Sequence, residues 1–355
     1  MKNTTEAPRH FLDIADLNRE ELERVLSEAM AIRGQIERGI LKGPTPLHRK
    51  KVAYISSKES LRTKASIGQA SGYLGGDSKD FGKDSIFDEK GESRESFSDI
   101  GHCLEEQGYP VTFARLHKHE HLLQLAQGRT RMSVINALTD QSHPLQALAD
   151  AEAYRLVRPD VKRPRVVFSG DGNNVATSLA EVSAMQGWDF VHTGPDSRQI
   201  RSDRWDGIQR LASEHGGSAS YIRRPEQAVE GADYVYADVF ASMGQKGNAA
   251  ELNALMMPYQ VNGKLMELAH PEAVFGHCLP AQRGIAVTSD VIDGPQSIVF
   301  TIAGCRMDTT AAIMKFLVKN PSWFDRLKDY FTSRVKPARP HASRIESDIQ
   351  VSVRA

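Results

Sequence analysis

The sequence predicts an α/β fold in which two doubly wound parallel-sheet domains are joined by bridging helices. Helical and strand-like patterns alternate along the chain, which is typical of parallel βαβ units. The 355 residues, 40% of them hydrophobic, are enough for two domains with large cores. Three strand-like runs end in polar or nucleophilic side chains. Because ligands bind at the carboxyl ends of strands in open α/β sheets, we expect an active site in the interdomain cleft.

Capping residues and short apolar runs define the elements of the first half. Asp16 precedes apolar residues at helical spacing, which predicts a surface helix. Short apolar runs bounded by polar residues predict buried strands. In order, the predicted elements are a helix over 16–33, a strand over 51–55, a helix from Ser60 through Tyr73, strands over 111–115 and 134–137, and a bridging helix from about His143 to Arg155.

A second βαβ series is predicted from Arg165 to about Phe300, with strand-like runs over 165–174, 232–238 and 273–280 that end in polar or nucleophilic side chains. Residues 75–95 are rich in glycine, serine and charge, and we predict a mobile loop there. Little periodicity over 336–355 predicts a tail of uncertain order. We expect domains over 1–150 and 151–325, with the helix after Arg306 packing back on the first domain.

Charge and cysteine content narrow the class of protein. The formal net charge is zero, which removes the usual electrostatic case for nucleic acid or an anionic membrane as partner. No apolar run reaches membrane-spanning length and the amino terminus is polar, so we expect no signal peptide or transmembrane helix. Cys103, Cys278 and Cys305 are an odd number at unrelated spacings, which disfavours disulfides and a zinc ribbon. We expect a reducing, cytoplasmic location and a buried, structural Cys103.

The first half contains residue types suited to binding phosphate. Ser60, Arg62 and Thr63 lie where a helix begins after a strand, and such helix amino termini favour anions. Arginine also makes paired charge-assisted hydrogen bonds to phosphate oxygens, and Arg115 and Arg306 are candidates to complete the site. The alternative is that Ser60 is only a helix N-cap.

The bridging helix begins with His143-Pro144-Leu145-Gln146, which adds an imidazole and an amide to this half. A lone histidine at such a position is more often structural than catalytic. His143 and Gln146 therefore become candidates only in combination with the cationic residues.

The second half contains residue types suited to binding a zwitterion. Asn174 and Asp238 follow strand-like runs and can accept hydrogen bonds from an α-amino group. Ser242 and the backbone around Met243 can bind an α-carboxylate, although a methionine is more often a packing residue.

Cys278 stands at the end of the last strand-like run. A covalent nucleophile needs a neighbouring base, and no histidine–carboxylate pair can be located from the sequence. Its neighbour His277 should point to the opposite face of the strand. We therefore interpret Cys278 as a positioning group, with a buried core cysteine as the alternative.

Five motifs in order resemble those of the aspartate/ornithine carbamoyltransferase family, and most closely those of its ornithine-specific members. The resemblance covers nearly the whole chain, from the helix at Asp16 to the helix after Arg306. Each motif is weak alone, but the set is highly specific. The motifs are Ser60-Leu61-Arg62-Thr63, His143-Pro144-Leu145-Gln146, Asp171-Gly172-Asn173-Asn174, Asp238-Val239-Phe240-Ala241-Ser242-Met243-Gly244 and His277-Cys278-Leu279-Pro280.

The resemblance implies transfer of the carbamoyl group of carbamoyl phosphate to the side-chain amine of L-ornithine, without metal or organic cofactor, in a homotrimer or a multiple of trimers. Arg62, His143 and Cys278 would be the catalytic residues. Residues implied to bind carbamoyl phosphate are Ser60, Leu61, Arg62, Thr63, Lys90, Arg115, His143, Gln146, Cys278, Leu279 and Arg306. Residues implied to bind the amino acid are Asn174, Asp238, Ser242 and Met243, with Cys278 and Leu279 beside them.

Departures from the family pattern leave alternatives open. Leu61 and Lys64 stand where a threonine and an arginine are usual, Gln282 replaces a usual histidine or phenylalanine, and the stretch 301–305 lacks the usual acidic residue and asparagine. A leucine after the serine is similar to enzymes that act on acylated ornithines. A specialised carbamoyltransferase for an ornithine analogue and a catalytically silent homologue are therefore alternatives. A dinucleotide binder is disfavoured, because the run Gly170-Asp171-Gly172-Asn173-Asn174 is not followed by the third glycine of the dinucleotide fingerprint.

Overall fold

The strands of a computed structural model form two sheets. The structure describes residues 9–40, 43, 45–89, 91–240 and 249–318. The strands are β1 (Lys51–Ser56), β2 (Asp77–Asp80), β3 (Val111–Arg115), β4 (Ser133–Leu138), β5 (Arg165–Ser169), β6 (Asp189–Thr193), β7 (Ser218–Tyr221), β8 (Tyr234–Ala237) and β9 (Val274–His277). Their orders are β2-β1-β3-β4 and β7-β6-β5-β8-β9. All of these pairings are parallel, which confirms the predicted fold class.

Helices connect successive strands, as parallel sheets require. They are α1 (Arg19–Glu37), α2 (Leu61–Tyr73), α3 (Gly82–Ile86), α4 (Phe97–Glu106), α5 (His119–Ala126), α6 (Pro144–Val157), α7 (Asn174–Gln186), α8 (Ser202–Glu214), α9 (Pro225–Val229), α10 (Ala249–Met256), α11 (Gly263–Met266), α12 (Ser289–Ile292) and α13 (Val299–Leu317). Short 3-10 helices lie at Ile14–Asp16, Asp196–Arg198 and Met257–Tyr259. Among the described residues, no helix is both long and apolar enough to cross a membrane.

The strand registers bring the predicted polar strand ends to one edge of each sheet. In the first sheet, Ser56 at the end of β1 pairs with Arg115 at the end of β3. In the second, Ala237 pairs with both Ser169 and His277, so β5, β8 and β9 end level with one another. The segments that follow these three strands therefore meet at one edge, as the sequence predicts.

Two long helices connect the halves. Helix α6 packs against β4 of the first half and against α7 of the second. Helix α13 packs against α6, α1 and α2, and also against β9. The side chains of α6 from Pro144 to Tyr154 are all buried, which its alanine-rich sequence allows. The exact domain boundaries stay a prediction, and the predicted tail over 336–355 lies outside the described residues.

The predicted loop over 75–95 is partly wrong, because it contains β2 and α3. Strand β2 pairs with β1 through its backbone, from Lys51 opposite Asp77 to Tyr54 opposite Asp80. Its side chains are mostly exposed. An edge strand buries little side-chain surface and tolerates charge, so it lacks the apolar pattern by which buried strands are recognised.

Two further details differ from the predictions. Helix α1 begins at Arg19 rather than near Asp16, because Asn18 forms a capping box with Glu21, whereas Asp16 ends a separate 3-10 helix. Cys103 is exposed rather than buried, because helix α4 directs Phe97, Ile100 and Leu104 to the core.

Candidate active site

A cleft of about 680 Å³ lies at the carboxyl ends of strands from both sheets. It contains most of the predicted site residues that the structure describes. Its lining comprises residues 58–63, Arg115, Leu138 and His143 from the first half, and Asn174, Val175, Asp238, Val239, residues 278–282 and Arg306 from the second. Most of the predicted site residues that the structure describes therefore converge on one cleft between the two sheets.

The amino terminus of α2 forms one end of the cleft. Ser60 caps this helix, and its hydroxyl oxygen lies 3.5 Å from the Thr63 amide nitrogen and 3.0 Å from Thr63 Oγ1. Ser60 is thus an N-cap and a cleft residue at once, so the two interpretations of the sequence are compatible. The free amides and the dipole of this helix end favour an anion.

Lys64, on the same helix, does not line the cleft. Its ammonium group pairs with Glu59 and lies 2.6 Å from Asp80 Oδ2 on β2. Lys64, which stands where the family usually has an arginine, is therefore paired with two carboxylates. Leu61, which stands where the family usually has a threonine, is 82% exposed and lines the cleft.

Arg62 connects the two halves of the cleft directly. Its Nη2 donates a hydrogen bond of 2.6 Å to the carbonyl oxygen of Leu279, which follows the end of β9. Leu279 has a positive φ of 55° and precedes a cis peptide bond to Pro280. A leucine at positive φ is unusual and strained, and such residues concentrate at functional sites.

Four side chains form the cationic wall of the cleft: Arg62, Arg115, His143 and Arg306. Arg115 Nε, His143 Nδ1, and Nε and Nη2 of Arg306 are buried, and none has a hydrogen-bond partner among the described residues. Burial and the neighbouring Arg115 lower the pKa of Arg306 to about 10. Buried polar atoms without partners are costly, and the arginine nitrogens among them are donors, so this wall suits an anion with several acceptor oxygens.

His143 is electrically neutral in this environment. Burial, followed by the charges of Arg306, Arg115 and Arg62, holds the pKa of its imidazole well below the usual value. It occupies the N-cap position of α6, and its backbone amide donates to Ser178 Oγ at 2.9 Å. A neutral imidazole can donate a hydrogen bond to an oxygen without adding charge to the wall.

Gln146 lies behind the cationic wall and does not line the cleft. Its Oε1 accepts a hydrogen bond of 2.7 Å from Nη1 of Arg306. The side chain is 2% exposed. In this structure Gln146 therefore reaches the cleft through Arg306.

Three further lining side chains form what we call the acidic wall of the cleft: Asn174, Asp238 and Cys278. Asn174 begins α7 and donates to the carbonyl oxygen of Thr139 at 2.5 Å. Asp238 accepts a hydrogen bond of 2.8 Å from Nδ2 of Asn173, whose Oδ1 caps α7. Asn173 was not a predicted site residue, although an asparagine just before a helix is a recognisable N-cap signal.

Cys278 is a protonated thiol held by Asp238. Its Sγ lies 2.9 Å from Asp238 Oδ1, and burial together with that carboxylate raises the pKa of the thiol well above its usual value. A thiol in this state is a poor nucleophile, because the thiolate is the reactive form. The geometry supports the interpretation of Cys278 as a positioning group.

His277 does not turn away from Cys278 as predicted. Its Nδ1 accepts a hydrogen bond of 2.8 Å from the Leu279 amide, because β9 ends at His277 and the backbone turns there. One donor atom each of Asp238, His277 and Cys278 lies within 4.8 Å of the other two. These donor types bind Zn²⁺ elsewhere, but here a metal would first have to displace the thiol proton.

Three predicted site residues lie outside the described part of the chain: Lys90, Ser242 and Met243. Their roles stay predictions. Gln282, one of the departures from the family pattern, lines the cleft.

Both halves of the chain match models of one family. Residues 9–155 match the carbamoyl-phosphate-binding domain of aspartate/ornithine carbamoyltransferase, and residues 162–317 match its aspartate/ornithine-binding domain. The chain is 36% identical to ornithine carbamoyltransferase of Methanopyrus kandleri, over 87% of this chain and 97% of that protein. It is 38% identical to that of Hyperthermus butylicus, with the same coverage.

The fold comparison agrees. The structure resembles ornithine carbamoyltransferase from Pyrococcus furiosus with a TM-score of 0.81 and 35% identity, over 88% of this chain and 97% of that one. The matches span both sheets and the cleft between them, and they agree with the resemblance that the motifs indicated. The chain therefore belongs to the aspartate/ornithine carbamoyltransferase family.

Proposed function

We propose that this carbamoyltransferase acts on L-ornithine and forms L-citrulline and phosphate. The observation that carries the proposal is that unpartnered nitrogen atoms of Arg115, His143 and Arg306 converge on the cleft that the pair Asp238–Cys278 also lines. One wall suits a phosphate and a carbonyl oxygen, and the other suits an amine. The names of the relatives agree with this substrate pair.

The proposed reaction needs no covalent intermediate with the protein. The neutral side-chain amine of ornithine attacks the carbonyl carbon, a C–N bond forms, and the C–O bond to phosphate breaks. The departing phosphate takes the electron pair of the broken bond and accepts the proton that the amine loses. Arg62, Thr63 and His143 donate to the carbonyl oxygen as negative charge develops there, and each such donor contributes about 3–4 kcal/mol.

We assign the roles of the remaining site residues from their positions in the cleft. Ser60, Arg115 and Arg306 bind the phosphate group, with Leu61 and Leu279 at its edges and Gln146 behind Arg306. Asn174 and Asp238 bind the amino acid, and Cys278 orients the attacking amine. The predicted contributions of Lys90, Ser242 and Met243 belong to the same proposal.

A second candidate substrate is an acylated ornithine. Leu61 offers an apolar side chain, 82% exposed, within the cleft lining. A hydrophobic acyl group would bury this surface at a gain of about 25 cal/mol per Å². The intact pair of Asp238 and Cys278 instead supports a free α-amino acid, so ornithine is the primary proposal.

Assembly and location are part of the proposal. We propose a homotrimer or a multiple of it, in which Lys90 reaches a neighbouring subunit's cleft. The three free cysteines support a reducing compartment, the cytoplasm. Light scattering that gives the mass of a monomer at working concentration would contradict the trimer.

The test is phosphate release from carbamoyl phosphate with a panel of amines: ornithine, lysine, putrescine, aspartate, and N-acetyl- and N-succinyl-ornithine. We expect release with ornithine at least tenfold faster than with the other amines. Faster release with an acylated ornithine would transfer the proposal to the second candidate. No release above the spontaneous rate with any amine would contradict both candidates and indicate a catalytically silent homologue.

A further inference from the structure

The buried carboxylate of Asp150 lies behind the cationic wall and has no role in the proposed reaction. Asp150 lies one helical turn beyond Gln146 on α6, so the two side chains share a face of the helix. Its carboxylate is fully buried. Asp150 Oδ1 accepts hydrogen bonds from Gln146 Nε2 at 2.9 Å and from the Tyr236 hydroxyl at 3.1 Å.

These contacts form a chain of hydrogen bonds that ends at the cleft. The Tyr236 hydroxyl and the Gln146 amide both donate to Asp150, and Gln146 in turn accepts from Arg306 Nη1 at 2.7 Å. An amide has one donating and one accepting end. Because Asp150 takes the donating end, the accepting end of Gln146 must face Arg306.

The orientation of Gln146 decides which atoms of Arg306 remain available. With Nη1 held by Gln146, the Nε and Nη2 atoms are without hydrogen-bond partners among the described residues. These atoms form one side of the guanidinium fork, which is suited to paired hydrogen bonds to two phosphate oxygens. If Gln146 turned its NH₂ toward Arg306, two donors would face each other.

We propose that Asp150 is a positioning residue, which acts through Gln146 to hold the guanidinium of Arg306 in the orientation that binds the phosphate group. This inference rests on the proposed function. Asp150 does not line the cleft, so it acts on the substrate only through other side chains.

Tight packing around Asp150 holds this chain of hydrogen bonds in place. The ring of Tyr236 stacks on Phe168 with centroids 5.8 Å apart. A Cβ atom at Gly276 would lie 2.7 Å from the Tyr236 ring and 2.5 Å from the Tyr234 hydroxyl, so only glycine leaves both rings in position. The hydrogen bonds through Asp150 and Gln146 therefore connect α6 with β8 and α13.

The charge on Asp150 depends on pH. The ionisable groups that face it are Arg306 from α13, Tyr234 and Tyr236 from β8, Asp238 after β8 and Cys278 after β9. Burial is the largest influence and raises the pKa of Asp150 to about 7. Oδ2 has no partner among the described residues, so it can carry the proton while Oδ1 keeps both hydrogen bonds. Below about pH 7 Asp150 loses the charge that attracts Arg306.

The test compares Asp150→Leu, Asp150→Asn and Tyr236→Phe with the matched control Glu152→Gln. Glu152 is a buried carboxylate on the same helix that lies beside Cys305 and Asp308, outside the cleft lining. Loss of a hydrogen bond to a charged group changes an equilibrium constant by about 10- to 100-fold. We expect Asp150→Leu to weaken binding of inorganic phosphate about 100-fold and Asp150→Asn about tenfold, measured by calorimetry on the full chain.

Kinetics separate positioning from a general loss of structure. We expect both Asp150 variants to raise KM for carbamoyl phosphate and to leave KM for ornithine within twofold. Phosphate affinity within twofold of wild type in a folded Asp150→Leu variant would overturn the inference. An equal rise in KM for both substrates, or the same loss in Glu152→Gln, would reduce Asp150 to a structural role and so also overturn it.

Folding failure does not remove the test. If Asp150→Leu does not fold, Tyr236→Phe removes one hydrogen bond to Asp150 and keeps the aromatic ring, and we expect two- to fivefold weaker phosphate binding, about 1 kcal/mol or less. Unchanged affinity in Tyr236→Phe and in Asp150→Asn would then overturn the inference. Failure of the proposed function would give a different result. Wild-type protein would then bind inorganic phosphate but would not release phosphate from carbamoyl phosphate with any amine.

Discussion

The two walls of the cleft differ in how completely their own hydrogen bonds are satisfied. On the cationic wall, nitrogen atoms of Arg115, His143 and Arg306 are buried without partners among the described residues. On the acidic wall, Asp238 already accepts from both Asn173 and Cys278. An anion that binds at the cationic wall gains new hydrogen bonds at once. An amine that binds at the acidic wall must compete with the hydrogen bonds that Asp238 already accepts.

Charge adds to this difference. Three arginines face the cleft, and burial and their mutual repulsion lower the pKa of Arg115 and Arg306. A phosphate neutralises this repulsion. Ornithine carries a net positive charge near neutral pH, so the same arginines oppose it until an anion is bound. We infer that the cleft is preorganised for an anion and attracts a cationic amino acid only after the anion has bound.

The largest expected effect comes from breaking the cationic wall. Arg62→Ala removes a guanidinium that donates to Leu279 across the cleft and, in the proposed reaction, to the carbonyl oxygen. We expect kcat/KM for carbamoyl phosphate to fall about 10³-fold, since one oxyanion donor is worth about 10²–10³-fold. Phosphate release at saturating ornithine measures this.

The control for that variant is Arg38→Ala, which removes an exposed arginine at the end of α1, away from the cleft. We expect its activity to stay within twofold of wild type. Near-wild-type turnover in Arg62→Ala would show that the cationic wall does not bind the reacting group.

A smaller effect is expected from the acidic wall. Cys278→Ala removes the thiol that donates to Asp238 but leaves the arginines in place. Because the thiol is protonated and orients the amine rather than attacking, we expect kcat to fall about tenfold, the value of about one hydrogen bond, while phosphate affinity stays unchanged. Exposed Cys103→Ala serves as the control. Complete loss of turnover, or trapping of a carbamoylated Cys278 by mass spectrometry, would contradict this role.

The smallest effect on activity is expected outside both walls. Glu152 is buried beside Cys305 and Asp308, and burial raises the pKa of its carboxyl to about 9. The folded state therefore keeps a proton on Glu152 that the unfolded chain releases above about pH 4.5. Stability from this group is present at low pH and is lost as pH rises toward 9.

Glu152→Gln removes this pH dependence. We expect the free energy of unfolding of the variant, relative to wild type, to rise with pH between 5 and 9 by at most about 1.4 kcal/mol per pH unit. Urea unfolding at several pH values measures it, and kcat should change less than twofold. A relative stability that is flat or falls with pH would show that Glu152 is ionised in the folded protein.

The sequence was sufficient to predict the parallel sheets and the convergence of Arg62, Arg115, His143 and Arg306. Buried parallel strands are continuous apolar runs, and their ends meet at one edge whatever the details of packing. The edge strand over Asp77–Asp80 was missed because its pairing depends on backbone hydrogen bonds, which leave no side-chain pattern.

Contacts that depend on side-chain orientation were not predictable. Nothing in the sequence indicates that Arg62 reaches the Leu279 carbonyl, that Asn173 holds Asp238, or that the backbone turns after His277. These contacts join segments 65 to 217 residues apart or follow from a positive φ at Leu279. They appear only when both sheets are in place.

The difference between the two walls is tested most directly by calorimetry on the wild-type protein. Inorganic phosphate and L-ornithine are each titrated alone, and ornithine is then titrated into the phosphate-saturated protein, where no reaction can occur. We expect phosphate to bind the free protein, and ornithine to bind at least tenfold more tightly when phosphate is present, since its charge is then balanced. Equal ornithine affinity with and without phosphate, or no binding of phosphate alone, would contradict the account.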